Sequence, residues 1–237
     1  MKKSIFTFLV ALSTLISGAA FAQSELQVIH NCADPAASSV DIYVNGALTL
    51  DDFMFREATP FLNLPSNTNI EVGVAPGSSA SVNDTLVNFT INLMPGERYV
   101  ALASGVLNPG SFAANPDGIA TGFGLQVVSG VQTSAQMPTD VDLIINHGST
   151  DAPTVDVLAR GVATLLDNAA YSDFSSYIPV PSGSYILDIT PGNDNSTIVA
   201  SFEADLSSLA GSAAVVFASG FLDPTMNQNG ESFGLFA

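Results

Sequence analysis

ASGVLNP, residues 103–109, is answered by ASGFLDP, residues 218–224. The likeness extends outward from the two phrases. Phe123-Gly124-Leu125 follows the first and Phe233-Gly234-Leu235 the second; Leu64-Pro65-Ser66 and Pro76-Gly77 precede the first, as Val180-Pro181-Ser182 and Pro191-Gly192 precede the second. Further upstream SSVDIYVNG (38–46) matches PTVDVLARG (153–161), and His30 and His147 each open the segment leading to them. The order is the same throughout, so the chain is a duplication with a period of about 115 residues.

Each copy reads as short strands. Val40-Asp41-Ile42-Tyr43-Val44 alternates, and Asn45-Gly46 supplies the two residues that accept positive φ in a tight hairpin. Ile70 to Val74 and Tyr185 to Ile189 alternate in the same way and stop at Pro-Gly. Phe89 to Leu93 and Tyr99 to Ser104 form the next hairpin, repeated by Phe202 to Leu206 and Ala213 to Ser219. Strands at intervals of about ten residues, with polar turns and no long helical period, predict an all-β chain of two tandem Ig-like antiparallel β-sandwich domains. Val100 to Ala103 and Val215 to Ala218 are nearly uninterrupted apolar runs, expected of central strands covered on both sides or at a sheet junction. Each phrase is therefore expected to be a strand exit, leading into a long loop.

The first 22 residues read as a secretory signal peptide. Lys2 and Lys3 precede an apolar run and Ala20-Phe21-Ala22 supplies a small-x-small cleavage site, so the mature chain is expected to begin at Gln23, exported to the exterior, the cell surface or the periplasm. That run is short for a bilayer span, no second one follows, and no Cys stands at the new N-terminus to carry a lipid. The expected organisation is a signal peptide at 1–22, one sandwich at 23–130, a linker at 131–138 within SGVQTSAQMPTD, and the second sandwich at 139–237. So short a linker predicts limited relative motion.

Removing Lys2 and Lys3 leaves Arg56, Arg98 and Arg160 against 22 Asp and Glu. Such a surface repels phosphate backbones and anionic headgroups, which argues against nucleic acid and direct membrane insertion and favours cations or basic partners. With 47% apolar and 11% charged residues the chain is not disordered. Cys32 has no intramolecular partner and reads as a buried thiol or an intermolecular bridge.

His147, then Asp151-Ala152-Pro153, then Val155-Asp156-Val157 with Gly161 closing the hairpin, resembles the opening of the domain of unknown function 4397, and PVPSGSYILDI (179–189) resembles its next segment. The resemblance covers nearly the whole mature chain as two copies, the second the closer. It implies exported, repeated β-sandwich modules on bacterial or archaeal surfaces, and it supplies no catalytic residues.

Among candidate sites, His30 with Asp34 and Asp41, and His147 with Asp151 and Asp156, offer imidazole and carboxylate for a metal; the competing reading is a histidine that holds a turn. Calcium suits the oxygen-rich turns better, and Asp51, Asp52, Asp117 and Asp194 are the candidate ligands, although none has EF-hand spacing. Tyr171, Phe174 and Tyr177 could form a sugar-stacking patch. No G-x-S-x-G, H-E-x-x-H, C-x-x-C or phosphate-cradling loop occurs, so no enzyme and no required cofactor is expected. The expectation is a structural or adhesive surface protein that associates with itself or with another surface protein; the alternative is a soluble extracellular carbohydrate-binding module for which calcium is the candidate stabilising ion.

Overall fold

A computed structural model describes residues 23–237; the signal peptide at 1–22 lies outside the described residues. The first copy contains β1 (Gln23–Asn31), β2 (Ser39–Val44), β3 (Ala47–Met54), β4 (Leu62–Pro65), β5 (Asn69–Pro76), β6 (Val87–Asn92), β7 (Arg98–Ser104) and β8 (Gly124–Ser129). These form two four-stranded sheets, ordered β4-β1-β7-β8 and β3-β2-β5-β6. The second copy repeats them as β9 (Asp140–Asn146), β10 (Val155–Ala159), β11 (Ala163–Ala169), β12 (Ile178–Pro181), β13 (Ser184–Pro191), β14 (Ala200–Asp205), β15 (Ala213–Ser219) and β16 (Gly234–Phe236). Their sheets are β12-β9-β15-β16 and β11-β10-β13-β14. The chain is all-β, with one sandwich per copy. Pairing is antiparallel except for one parallel pair in each module, β1 with β7 and β9 with β15.

Local chemistry sets the turns. Asn45 and Gly46 both take positive φ, at 50° and 81°, the backbone twist that a two-residue hairpin needs. The second copy's turn is one residue longer, from Arg160 to Val162, with Gly161 at φ 71°. Both hairpins then carry a β-bulge on the return strand, at Asp52 (φ 52°) and Asn168 (φ 53°). A bulge frees a backbone N–H from the ladder. The buried carboxylates of Asp41 and Asp156 accept those two donors, at 2.9 and 2.6 Å.

The apolar runs of β7 and β15 are explained by what lies on each side of them. Tyr99 and Ala101 face the interior of the first sandwich, with Leu26, Ile70 and Leu93. Val100 and Leu102 point the other way and, with Ile29, pack against Val215, Phe217 and Phe236 of the second module. Val216 in turn faces the second sandwich's own core. The sheet carrying β7 and the sheet carrying β15 are thus back to back, and the molecule is a stack of four sheets with three apolar layers. The segment between β8 and β9 is stitched into this stack: Val131 is buried in the middle layer, and Ala135 donates its N–H to Gly211 O.

Candidate functional site

The strand exits gather at one end of the junction between the modules. Gly105 and Gly220, the glycines of the two repeated phrases, have φ of 95° and 85°. Their backbones pass against Gly122 and Ser232, so close that a Cβ on Gly105 would sit 2.5 Å from Gly122 O. Val106 and Phe221, the next residues, are fully buried. The strand-exit reading holds, and glycine stands there because two chain segments approach at a left-handed backbone position.

The histidines hold loops. His30 Nε2 donates to Ala37 O at 2.8 Å, which leaves Nδ1 to accept Cys32 N–H at 3.3 Å. His147 Nε2 donates to Pro153 O at 3.0 Å. Burial depresses both imidazole pKa values, opposed by the hydrogen bonds to those carbonyls, so both rings are neutral at pH 7. The neighbouring acids serve the backbone as well. Asp34 accepts from Ala36 N and Leu107 N, both at 2.9 Å. Asp151 accepts from Leu222 N, Asp223 N and Asn227 Nδ2, each at 2.8 Å. In each module one buried carboxylate therefore ties the His loop to the start of the long loop that follows the repeated phrase.

The tips of those long loops reach across to the other module. Asn115 Nδ2 donates to Thr150 O and Ala152 O, and Asp117 Oδ2 accepts from Thr154 N at 2.6 Å and Thr154 Oγ1 at 2.8 Å. In the reverse direction Asn227 Oδ1 accepts Ala113 N–H, and Phe221 stacks on Phe112 at 5.6 Å between centroids. Arg56 completes the exchange. Its guanidinium donates to Ser219 Oγ, Ser219 O and Ser232 O, and lies 4.1 Å over the Phe236 ring. The other two arginines are also committed, Arg98 to Glu25 and Arg160 to Asp188. Arg160 and then Ser201 hold the Asp188 carboxyl down at about 2.

The four candidate calcium ligands are dispersed. Asp51 and Asp52 lie on β3, where Asp52 Oδ1 accepts Ser39 Oγ–H; Asp117 is tied to Thr154; Asp194 caps its own turn through Ser196 and Thr197. Among the described residues no three His, Cys, Asp or Glu side chains come together in a way that could hold one metal ion. The aromatic patch is a correction. Tyr171 is buried, its hydroxyl 3.4 Å from Ser104 Oγ, Phe174 packs in the middle apolar layer, and the Tyr177 hydroxyl accepts Gln132 N–H at 2.6 Å. These rings belong to the junction because they flank the strands on which the modules meet, so no sugar-stacking face is formed. Cys32 is fully buried and its thiol is pushed up to about 12 by that burial.

Arg56 and Asn31 were not singled out from sequence, whereas the turn from Asn115 to Asp117 was read as an oxygen-rich cation loop and instead ties the two modules together. Arg56 carried a signal, being one of three arginines in so acidic a chain. Asn31, whose Nδ2 donates to Ala218 O at 3.1 Å, carried none.

The family model described as domain of unknown function (DUF4397) matches residues 24–139 and 141–228. The chain belongs to the DUF4397 family, as two tandem copies. No curated protein matches this DUF4397 chain. A solved structure described as alpha-glucan binding by a streptococcal virulence factor is similar at 8% identity and a TM-score of 0.23, over 82% of this chain and 92% of that one. No helix among the described residues is long and apolar enough to cross a membrane.

Proposed function

We propose that this DUF4397 protein is an exported, non-enzymatic structural or adhesive component of a cell surface or extracellular matrix, which associates with copies of itself or with another surface protein. The observation that carries the reading is the fate of the duplicated polar residues: both histidines and Asp34, Asp41, Asp151 and Asp156 are spent on loops, bulges and the junction. What the duplication preserves is a stiff, acidic, four-sheet block. Each of its sheets is open, with unpaired edges at β3, β6, β4 and β8 and at their counterparts. Such edges are where strand addition joins one chain to another.

Sedimentation of the protein from Gln23 to Ala237 at micromolar concentration, with and without calcium, tests this. Concentration-dependent assembly is the expected result. A compact monomer in both conditions, with a melting temperature raised by glycans, would replace the reading with that of a soluble carbohydrate-binding module.

A further inference from the structure

Between the two sheets of the first module lies a cavity of about 400 Å³. Its wall is hydrocarbon, supplied by Leu26, Leu64, Ile70, Val72, Ala101 and Val127 among others, with no charged side chain. The polar groups that reach it are already engaged: Thr49 Oγ1 donates to Ala47 O, Asn92 Nδ2 donates to Asn69 Oδ1, and the Tyr99 hydroxyl accepts Met94 N–H. The wall runs along β5 from Ile70 to Val74, about 13 Å at the rise of an extended strand.

The cavity opens at an edge strand. Val127 on β8 pairs with Ala101, so its side chain faces the same interior, yet it is 48% exposed. Solvent reaches the sandwich interior along β8. Two cavities of the second module are smaller, about 70 and 250 Å³, the larger bordered by Glu203 and Asp205. Of these three cavities, that of the first module joins a wall without charged side chains to a volume in the range of small-molecule pockets.

We infer that the first module binds one slim, neutral, hydrocarbon-rich molecule of the medium-chain alkyl class between its sheets. The volume and length fit a single chain, and its apolar surface would leave water for a wall with almost no unmet hydrogen-bonding capacity. No Lys, Arg or His lines the cavity, and the chain carries a formal charge of −17, so an anionic head group finds no partner. This site is independent of the assembly proposed above.

The test uses the protein from Gln23 to Ala237 with the neutral fluorescent probe N-phenyl-1-naphthylamine and competition by 1-decanol. Saturable enhancement at one probe per chain, reversed by 1-decanol and at least tenfold less readily by decanoate, is expected. Filling the space with A101L and V72L together should weaken the probe at least tenfold; V127W, which narrows the mouth at a half-exposed position, should do the same if the filled variant does not fold. Absence of saturable binding by the unmodified protein, or unchanged binding in a folded variant, overturns the site. Equal displacement by decanoate overturns the neutral class.

Discussion

At the scale of single residues, the glycines of the repeated phrase and the two histidines carry the most testable physics. A Cβ on Gly105 or Gly220 meets the strain of a left-handed backbone and the clash with the passing segment at once. G105A and G220A should each lower the unfolding free energy by about 3 kcal/mol, read as a shift of the urea midpoint. For the histidines, burial lowers the folded pKa below the unfolded value of about 6.5. Below that pH the unfolded chain takes up protons that the folded chain refuses, so stability is full above about 6.5 and declines as pH falls toward the depressed folded values. Denaturation midpoints between pH 7.5 and 5 should show this decline, and an H30Q/H147Q variant, which keeps a donor for each carbonyl, should flatten it. From sequence alone each histidine read as a fastener ahead of a ligand, and geometry had to choose, because a side chain's role depends on what its second atom meets.

Strands, hairpins and loops were the most legible level. Alternation placed β2, β5 and β13, and Asn45-Gly46 located a hairpin, because these signals act over a few residues. The long loops were legible only as loops. The anchoring of the second depends on Asp151, which gathers three donors from residues more than seventy positions away. Replacing it by alanine leaves the buried Asn227 amide and two part-buried backbone N–H groups without an acceptor, at about 1–3 kcal/mol for a fully buried donor. D151A should therefore lose about 3 kcal/mol or more in chemical denaturation, while D194A, on an exposed turn that caps itself, should lose less than about 1 kcal/mol. The candidate aromatic patch failed at this level: Tyr171, Phe174 and Tyr177 follow β11 as a segment, and nothing within that segment indicates that another module covers it.

For the whole molecule, the middle apolar layer makes two modules one cooperative unit. Calorimetry should record a single transition whose van't Hoff and calorimetric enthalpies agree. F217E, which buries a charge between the two central sheets, should lower the melting temperature and split that transition. Residues 139–237 expressed alone would expose Val215, Phe217 and Phe236, and size-exclusion chromatography should find them associated rather than monomeric. By itself the sequence determined the all-β class, the duplication, the turns and the fact that β7 and β15 are covered on both faces, because alternation, positive-φ residues and apolar runs are properties of neighbouring positions. Only the tertiary structure decided what does the covering and where the polar side chains end. Asn31 meets Ala218, and Arg56 meets Ser219 and Ser232, across more than 160 positions of chain. An apolar run records that water is excluded from a surface, whereas the identity of the excluding surface is settled by packing.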